Sequence, residues 1–136
     1  MPDQPVPREA LLDALRAALP NLLAVYAFGS RVSGGASSTS DLDLAVLVAG
    51  RADPVLLWEL SGDLARIAGY DVDLMDLRAA STVMQYQVIT TGDRWWTLDA
   101  QAPIYESFIL SEKTELDEFR AALLEDIARR GTVYGR

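Results

Sequence analysis

The chain has 136 residues, half of them apolar and 24% charged, which suits one globular domain and excludes a disordered tail. Twenty acidic residues against twelve basic ones leave a formal charge of −8, which excludes a sequence-independent grip on DNA or RNA, since that needs clustered cations. With no cysteine and no histidine, chemistry falls to carboxylates, hydroxyls, arginine and the single Lys113, and a metal partner must be a hard ion such as Mg²⁺ or Mn²⁺.

Leu11, Leu12, Leu15 and Leu19 share one helical stripe, so residues 8–19 are predicted to be a helix ended by Pro20-Asn21. The apolar run Leu22 to Phe28 reads as a buried strand stopping at Gly29, and Ser30 to Ser40 as a loop of small residues. Asp41 to Val48 is a second strand, closed by Gly50. Asp53-Pro54 suits an N-cap and first turn for a helix to Ala68, with Leu56, Leu57, Leu60, Leu64 and Ile67 inward and Gly69 as its stop. Asp71 to Met75 is a third strand. Ser81 opens a helix carrying Val83, Met84, Gln87, Val88 and Ile89, which Thr91-Gly92-Asp93 breaks, and Arg94 to Leu98 is a short fourth strand. Pro103 to Arg130 is helical, with an interruption expected near Ser111 and Gly131 as cap. The order αββαβαβα describes a small α/β domain with a mixed sheet, and one domain over residues 1–136 is the expectation. The first twenty residues carry Asp3, Glu9 and Asp13 and lack the apolar core of a secretory signal, and no apolar run approaches the ~20 residues of a membrane helix, so a cytoplasmic location is expected.

Three features converge on one chemistry. Gly29-Ser30 stands where a buried strand gives way to a loop, a place that turns backbone N–H groups and a hydroxyl toward an anion such as a polyphosphate. In Asp41-Leu42-Asp43, strand alternation sends both carboxylates to one face and Leu42 into the core. Two such carboxylates suit divalent cations, because without them like charges this close raise a pKa. Asp73, between Val72 and Leu74, is the third carboxylate, expected to lie deeper in its strand, to join the metal site and to help deprotonate an attacking hydroxyl; Asp71 and Asp76 are the fallback candidates.

The stretch Gly29-Ser30-Arg31, Gly34, Ser40-Asp41-Leu42-Asp43-Leu44 resembles the signature of the minimal nucleotidyltransferases of the DNA polymerase β-like superfamily. Asp71-Val72-Asp73-Leu74-Met75-Asp76-Leu77 is similar to the third-carboxylate strand of that group. The likeness spans roughly Leu11 to Leu98 and implies the polymerase β-like fold, with the helical segment 103–131 behind a core of about 8–98. Stand-alone members of this size resemble antitoxins paired with HEPN ribonuclease toxins, which implies a protein adenylyltransferase that moves AMP from ATP onto a toxin tyrosine. By that resemblance Gly29 and Ser30, with Arg31 and Ser40, bind the nucleotide, Asp41 and Asp43 hold two Mg²⁺ ions (Mn²⁺ as the substitute), and Asp73 completes the triad. The implied partners are the HEPN toxin and ATP, with no membrane and no direct nucleic-acid contact. Many relatives carry Arg where this chain has Ser33 and an acidic residue where it has Gly35, which leaves Arg31 to compensate. Two other classes stand beside this one: an antitoxin that neutralises by binding alone, and a small-molecule nucleotidyltransferase of the aminoglycoside-modifying kind.

Outside the motifs, Trp95-Trp96 offers a platform for an adenine base, although core or covered surface suits adjacent tryptophans better. Tyr86 reads as core, and Arg78 as a solvated loop residue with a lesser claim on a triphosphate. Leu116, Phe119, Leu123 and Ile127 form a stripe expected to cover the chain's own sheet; the rival reading docks part of it, with Ile104, Phe108 and Ile109, on a partner.

Overall fold

The computed structural model describes residues 6–29 and 41–130. Helix α1 (Arg8–Ala18) buries Leu11, Leu12 and Leu15, the stripe its leucine spacing requires. Strand β1 (Leu22–Phe28) follows, with Leu22 to Ala27 buried. That burial on both faces explains an apolar run without alternation: β1 is an inner strand, flanked by β2 (Leu42–Val48) and β4 (Asp93–Thr97). The sheet order is β3-β2-β1-β4, with β3 (Val72–Asp76) at one edge. β1 runs antiparallel to both neighbours and β2 parallel to β3, so the sheet is mixed, as expected.

Helix α2 (Pro54–Ala68) connects the parallel pair. The Asp53 side chain accepts from the Val55 N–H at 3.0 Å, Pro54 opens the helix, and Gly69 ends it at φ 85°, as the sequence predicts. Its buried stripe is Leu57, Leu60, Leu64 and Ala68. Leu56 and Ile67, expected inward, are 37% and 40% exposed. Each lies one residue off that stripe, a rotation of about 100° that carries it to the margin. A single 3₁₀ turn (Leu77–Ala79) leads to α3 (Thr82–Thr91), capped by the Ser81 hydroxyl on the Met84 N–H.

Helices cover both faces of the sheet. On one face α1 and α2 pack against Val25, Ala27, Leu42, Leu44, Val46 and Val48; on the other, Leu77, Val88 and Ala102 pack against Ala24, Tyr26, Ala45 and Leu47. Strand alternation therefore points Leu42 and Leu44 into the first core and leaves Asp43 on the face shared with Ala45 and Leu47.

Helix α4 (Gln101–Arg130) runs unbroken for 30 residues, so the interruption expected near Ser111 is absent. It also starts earlier than Pro103, because a proline in the first turn gives up no helical hydrogen bond, and Asp99 accepts from the Gln101 N–H at 2.9 Å. The expected cap Gly131 lies outside the described residues. The stripe expected to cover the sheet does not do so. Only Ala102 and Ile109 of α4 are buried, while Phe119, Leu123 and Leu124 are 66%, 47% and 65% exposed. Among the described residues, no helix is long and apolar enough to cross a membrane.

Candidate active site

The pairing of β2 with β3 sets Asp43 directly beside Asp73, and residues opposite in a parallel register project to the same side. Asp43 is half-buried; Asp73, expected deeper, is exposed, because β3 is the edge strand and the residue stands near its open end. Burial pushes the Asp43 carboxyl above the usual aspartate range, and the neighbouring Asp73 carboxylate, then Asp41, push it further. Asp41 itself precedes β2 and is exposed, acting on Asp43 through charge. Among the described residues, no three acidic side chains converge into a ready ligand cage. The structure thus brings Asp43 and Asp73 together and leaves Asp41 at their margin.

Gly29 fixes the other side of Asp43. It turns the chain at φ 84°, and a Cβ built there would lie 2.2 Å from Asp43 Oδ2. The Asp43 carboxylate therefore packs against a backbone that only glycine supplies. Ser30, Arg31, Ser33, Gly34, Gly35 and Ser40 lie outside the described residues.

The two fallback acids do other work. Asp76 is buried and accepts from the backbone N–H groups of Ala52 and Arg78, each at 3.0 Å, which ties the end of β3 to the turn before α2. Asp71 is exposed and precedes β3; its carbonyl accepts from the Leu42 N–H at 3.0 Å. Arg78 is neither solvated nor aimed at the acid pair: its Nε donates to the Val48 carbonyl at 2.9 Å and its guanidinium lies 4.6 Å from the Tyr105 ring centroid. Trp95 and Trp96 sit half-buried on β4, the opposite edge from β3, with Arg8 and Arg16 over their rings at 5.4 and 5.0 Å. That is the covered-surface reading, at the far edge of the sheet from Asp73. Tyr86, expected in the core, is half-buried under Lys113 Nζ at 4.7 Å.

Asp43 and Asp73 line a cavity of about 770 Å³ together with Phe28, Arg51 and Trp58. Sequence reading missed Arg51 and Trp58. The signal was present for one of them: Trp58 is a large apolar residue off the stripe of α2, and it is 78% exposed. The donor set fits a hard divalent cation, since the pair offers carboxylate oxygens alone, neither acid is ion-paired among the described residues, and a cation would relieve the repulsion that raises Asp43.

Comparison with known proteins shows the family. Residues 11–100 match the family model described as polymerase beta, nucleotidyltransferase. The chain is 37% identical over 117 residues to the protein adenylyltransferase MntA of Shewanella oneidensis, covering 86% of this chain and 84% of that one. A crystal structure of a toxin–antitoxin with AMP-PNP superposes with a TM-score of 0.80 at 35% identity, over 90% of this chain and 99% of that one. A structure of tri-AMPylated Shewanella oneidensis HEPN toxin in complex with MNT antitoxin gives a TM-score of 0.72 at 34% identity, over 89% and 95%. With its family-model match over most of its length and 37% identity to MntA, the chain belongs to the polymerase beta nucleotidyltransferase family.

Proposed function

We propose that the chain is an antitoxin that works as an ATP- and Mg²⁺-dependent protein adenylyltransferase, moving AMP onto a tyrosine hydroxyl of a cognate HEPN ribonuclease toxin in the cytoplasm. One observation carries the reading: Asp43 faces Asp73 across the β2–β3 pair, against the Gly29 turn and at the mouth of a cavity. The likeness to MntA and to its toxin complexes supports the substrate and partner.

In this reading Asp43 and Asp73, with Asp41 at the entry to β2, would hold Mg²⁺. Bound there, the metal supplies charge neutralisation at the departing pyrophosphate and acidifies the acceptor hydroxyl. Gly29 and Ser30, with Arg31 and Ser40, bind the phosphate tail, Gly29 through its backbone. Asp73 accepts the phenolic proton as the tyrosine oxygen bonds to the α-phosphorus. The bond from that phosphorus to the oxygen bridging to the β-phosphate breaks, and pyrophosphate leaves. A phenol is the easier acceptor than an alcohol, starting near pKa ~10.

The exposed apolar face of α4 (Phe119, Leu123, Leu124) supports a protein partner and favours the docking reading of that helix. Incubation with ATP, Mg²⁺ and a cognate HEPN toxin adds one or more AMP masses to that toxin. Unchanged mass with both proteins folded contradicts the proposal. The binding-only alternative is separated by Asp73→Asn, which abolishes the mass gain and leaves the complex intact.

A further inference from the structure

We propose that the cleft between the outer edge of β3 and the first turns of α2 is the acceptor subsite, that it takes a phenolic side chain on an extended segment of the partner protein, and that Trp58 positions that ring. The inference rests on the adenylyltransferase reading and specifies the side from which the acceptor enters.

The cleft is the cavity of about 770 Å³ that holds Asp43 and Asp73. Four consecutive residues of β3, Asp73 to Asp76, line it. Successive strand side chains point to opposite faces, so a cleft touching all four wraps around the strand's edge. Among the described residues β3 pairs with β2 alone, which leaves that edge open to an extended segment. The far wall is Pro54, Leu57 and Trp58 of α2, and among the described residues Arg51 is the one cation in the lining. Such a wall suits a ring better than a polyphosphate.

The geometry of the reaction assigns the direction. Gly29 opens onto a separate cavity of about 340 Å³, shared with Gln87 and Thr91, and the two cavities meet at Phe28 and Met84. Attacking and leaving oxygens stand roughly in line through the phosphorus. A phosphate tail held at Gly29 therefore sends the leaving group toward the smaller cavity, and the hydroxyl must arrive from the larger one. Trp58 stands there 78% exposed, an amphipathic ring free to stack on an incoming phenol.

The test uses the full chain, ATP, Mg²⁺ and a cognate HEPN toxin, with AMP incorporation measured at varied acceptor and at varied ATP. Trp58→Ala raises the acceptor KM about tenfold and leaves the ATP KM within about twofold, as expected for loss of one anchoring ring. Trp58→Phe restores most of the acceptor affinity, and calorimetry gives wild type and Trp58→Ala the same Kd for AMP-PNP with Mg²⁺. A weakened AMP-PNP Kd with an unchanged acceptor KM makes the cleft a nucleobase pocket and overturns the proposal. Unchanged values for both also overturn it. A wild-type chain that transfers no AMP overturns the adenylyltransferase reading instead, and this inference falls with it.

Discussion

At the scale of single residues, Gly29 and Asp43 compete for the same volume. A methyl at position 29 meets the Asp43 carboxylate at 2.2 Å, and the backbone there has φ 84°. Gly29→Ala should cost about 1–2 kcal/mol of stability from the left-handed backbone, read by thermal melting. It should also lower AMP transfer at least tenfold by displacing Asp43; transfer at the wild-type rate would show that Asp43 need not sit there. Asp43 illustrates the opposite trade. Its folded carboxyl titrates above the ordinary 3.8, so between those values the folded state binds more protons than the unfolded one, and stability falls as pH rises through that window. Without divalent cations, Asp43→Asn should raise the melting temperature by about 2–4 °C at neutral pH, a modest gain because Asp43 keeps part of its hydration. The gain should vanish below the ordinary aspartate value, while transfer is lost. The face that Asp43 occupies was legible in the sequence, because alternation along a strand is local. The exposure of Asp73 was not, since nothing local to Asp71–Asp76 says that β3 is the edge. Nor was the role of Asp76, whose partner Ala52 lies 24 positions away.

Among the elements, α2 and α4 show where periodicity suffices and where it stops. Asp53, Pro54 and Gly69 define α2 through contacts within one turn, so both of its ends could be read directly. The outward half of α4 could not. Thirty residues make a helix of about 45 Å, whereas a seven-residue strand spans about 24 Å, so α4 must outrun the sheet it was expected to cover. Its N-terminal half is anchored: the Tyr26 hydroxyl donates to Glu106 at 2.6 Å, Arg94 holds the same carboxylate at 2.7 Å, and the Tyr105 hydroxyl donates to Gln85. Burial and the Glu106 carboxylate push the Tyr26 phenol well above its ordinary value, so it stays the donor at every physiological pH. Beyond that anchor, Phe119→Ser with Leu123→Ser should leave the melting temperature within about 2 °C, since both side chains are solvated, yet weaken the complex with the HEPN protein at least tenfold by calorimetry. A mutant that binds normally would move the interface elsewhere.

For the whole molecule, a net charge of −8 and the Asp43–Asp73 pair would repel a bare triphosphate, so in the proposed reaction divalent cations would bring nucleotide and carboxylates together. The sheet order explains how so small a domain does this: the parallel β2–β3 pair ends beside the Gly29 turn, which gathers residues 14 and 30 positions from Asp43 at one end of the sheet. Arg8, Arg16, Trp95 and Trp96 brace the far edge, on the opposite side of the sheet from β3. The most direct measurement supplies ATP radiolabelled at the α-phosphorus or, in parallel, at the γ-phosphorus, to the chain and its HEPN partner with Mg²⁺. The α-label alone should appear on the partner, Asp73→Asn and chelation of Mg²⁺ should each abolish it, and the complex should survive both. Transfer of the γ-label, or undiminished α-label transfer by Asp73→Asn, would contradict the adenylyltransferase reading.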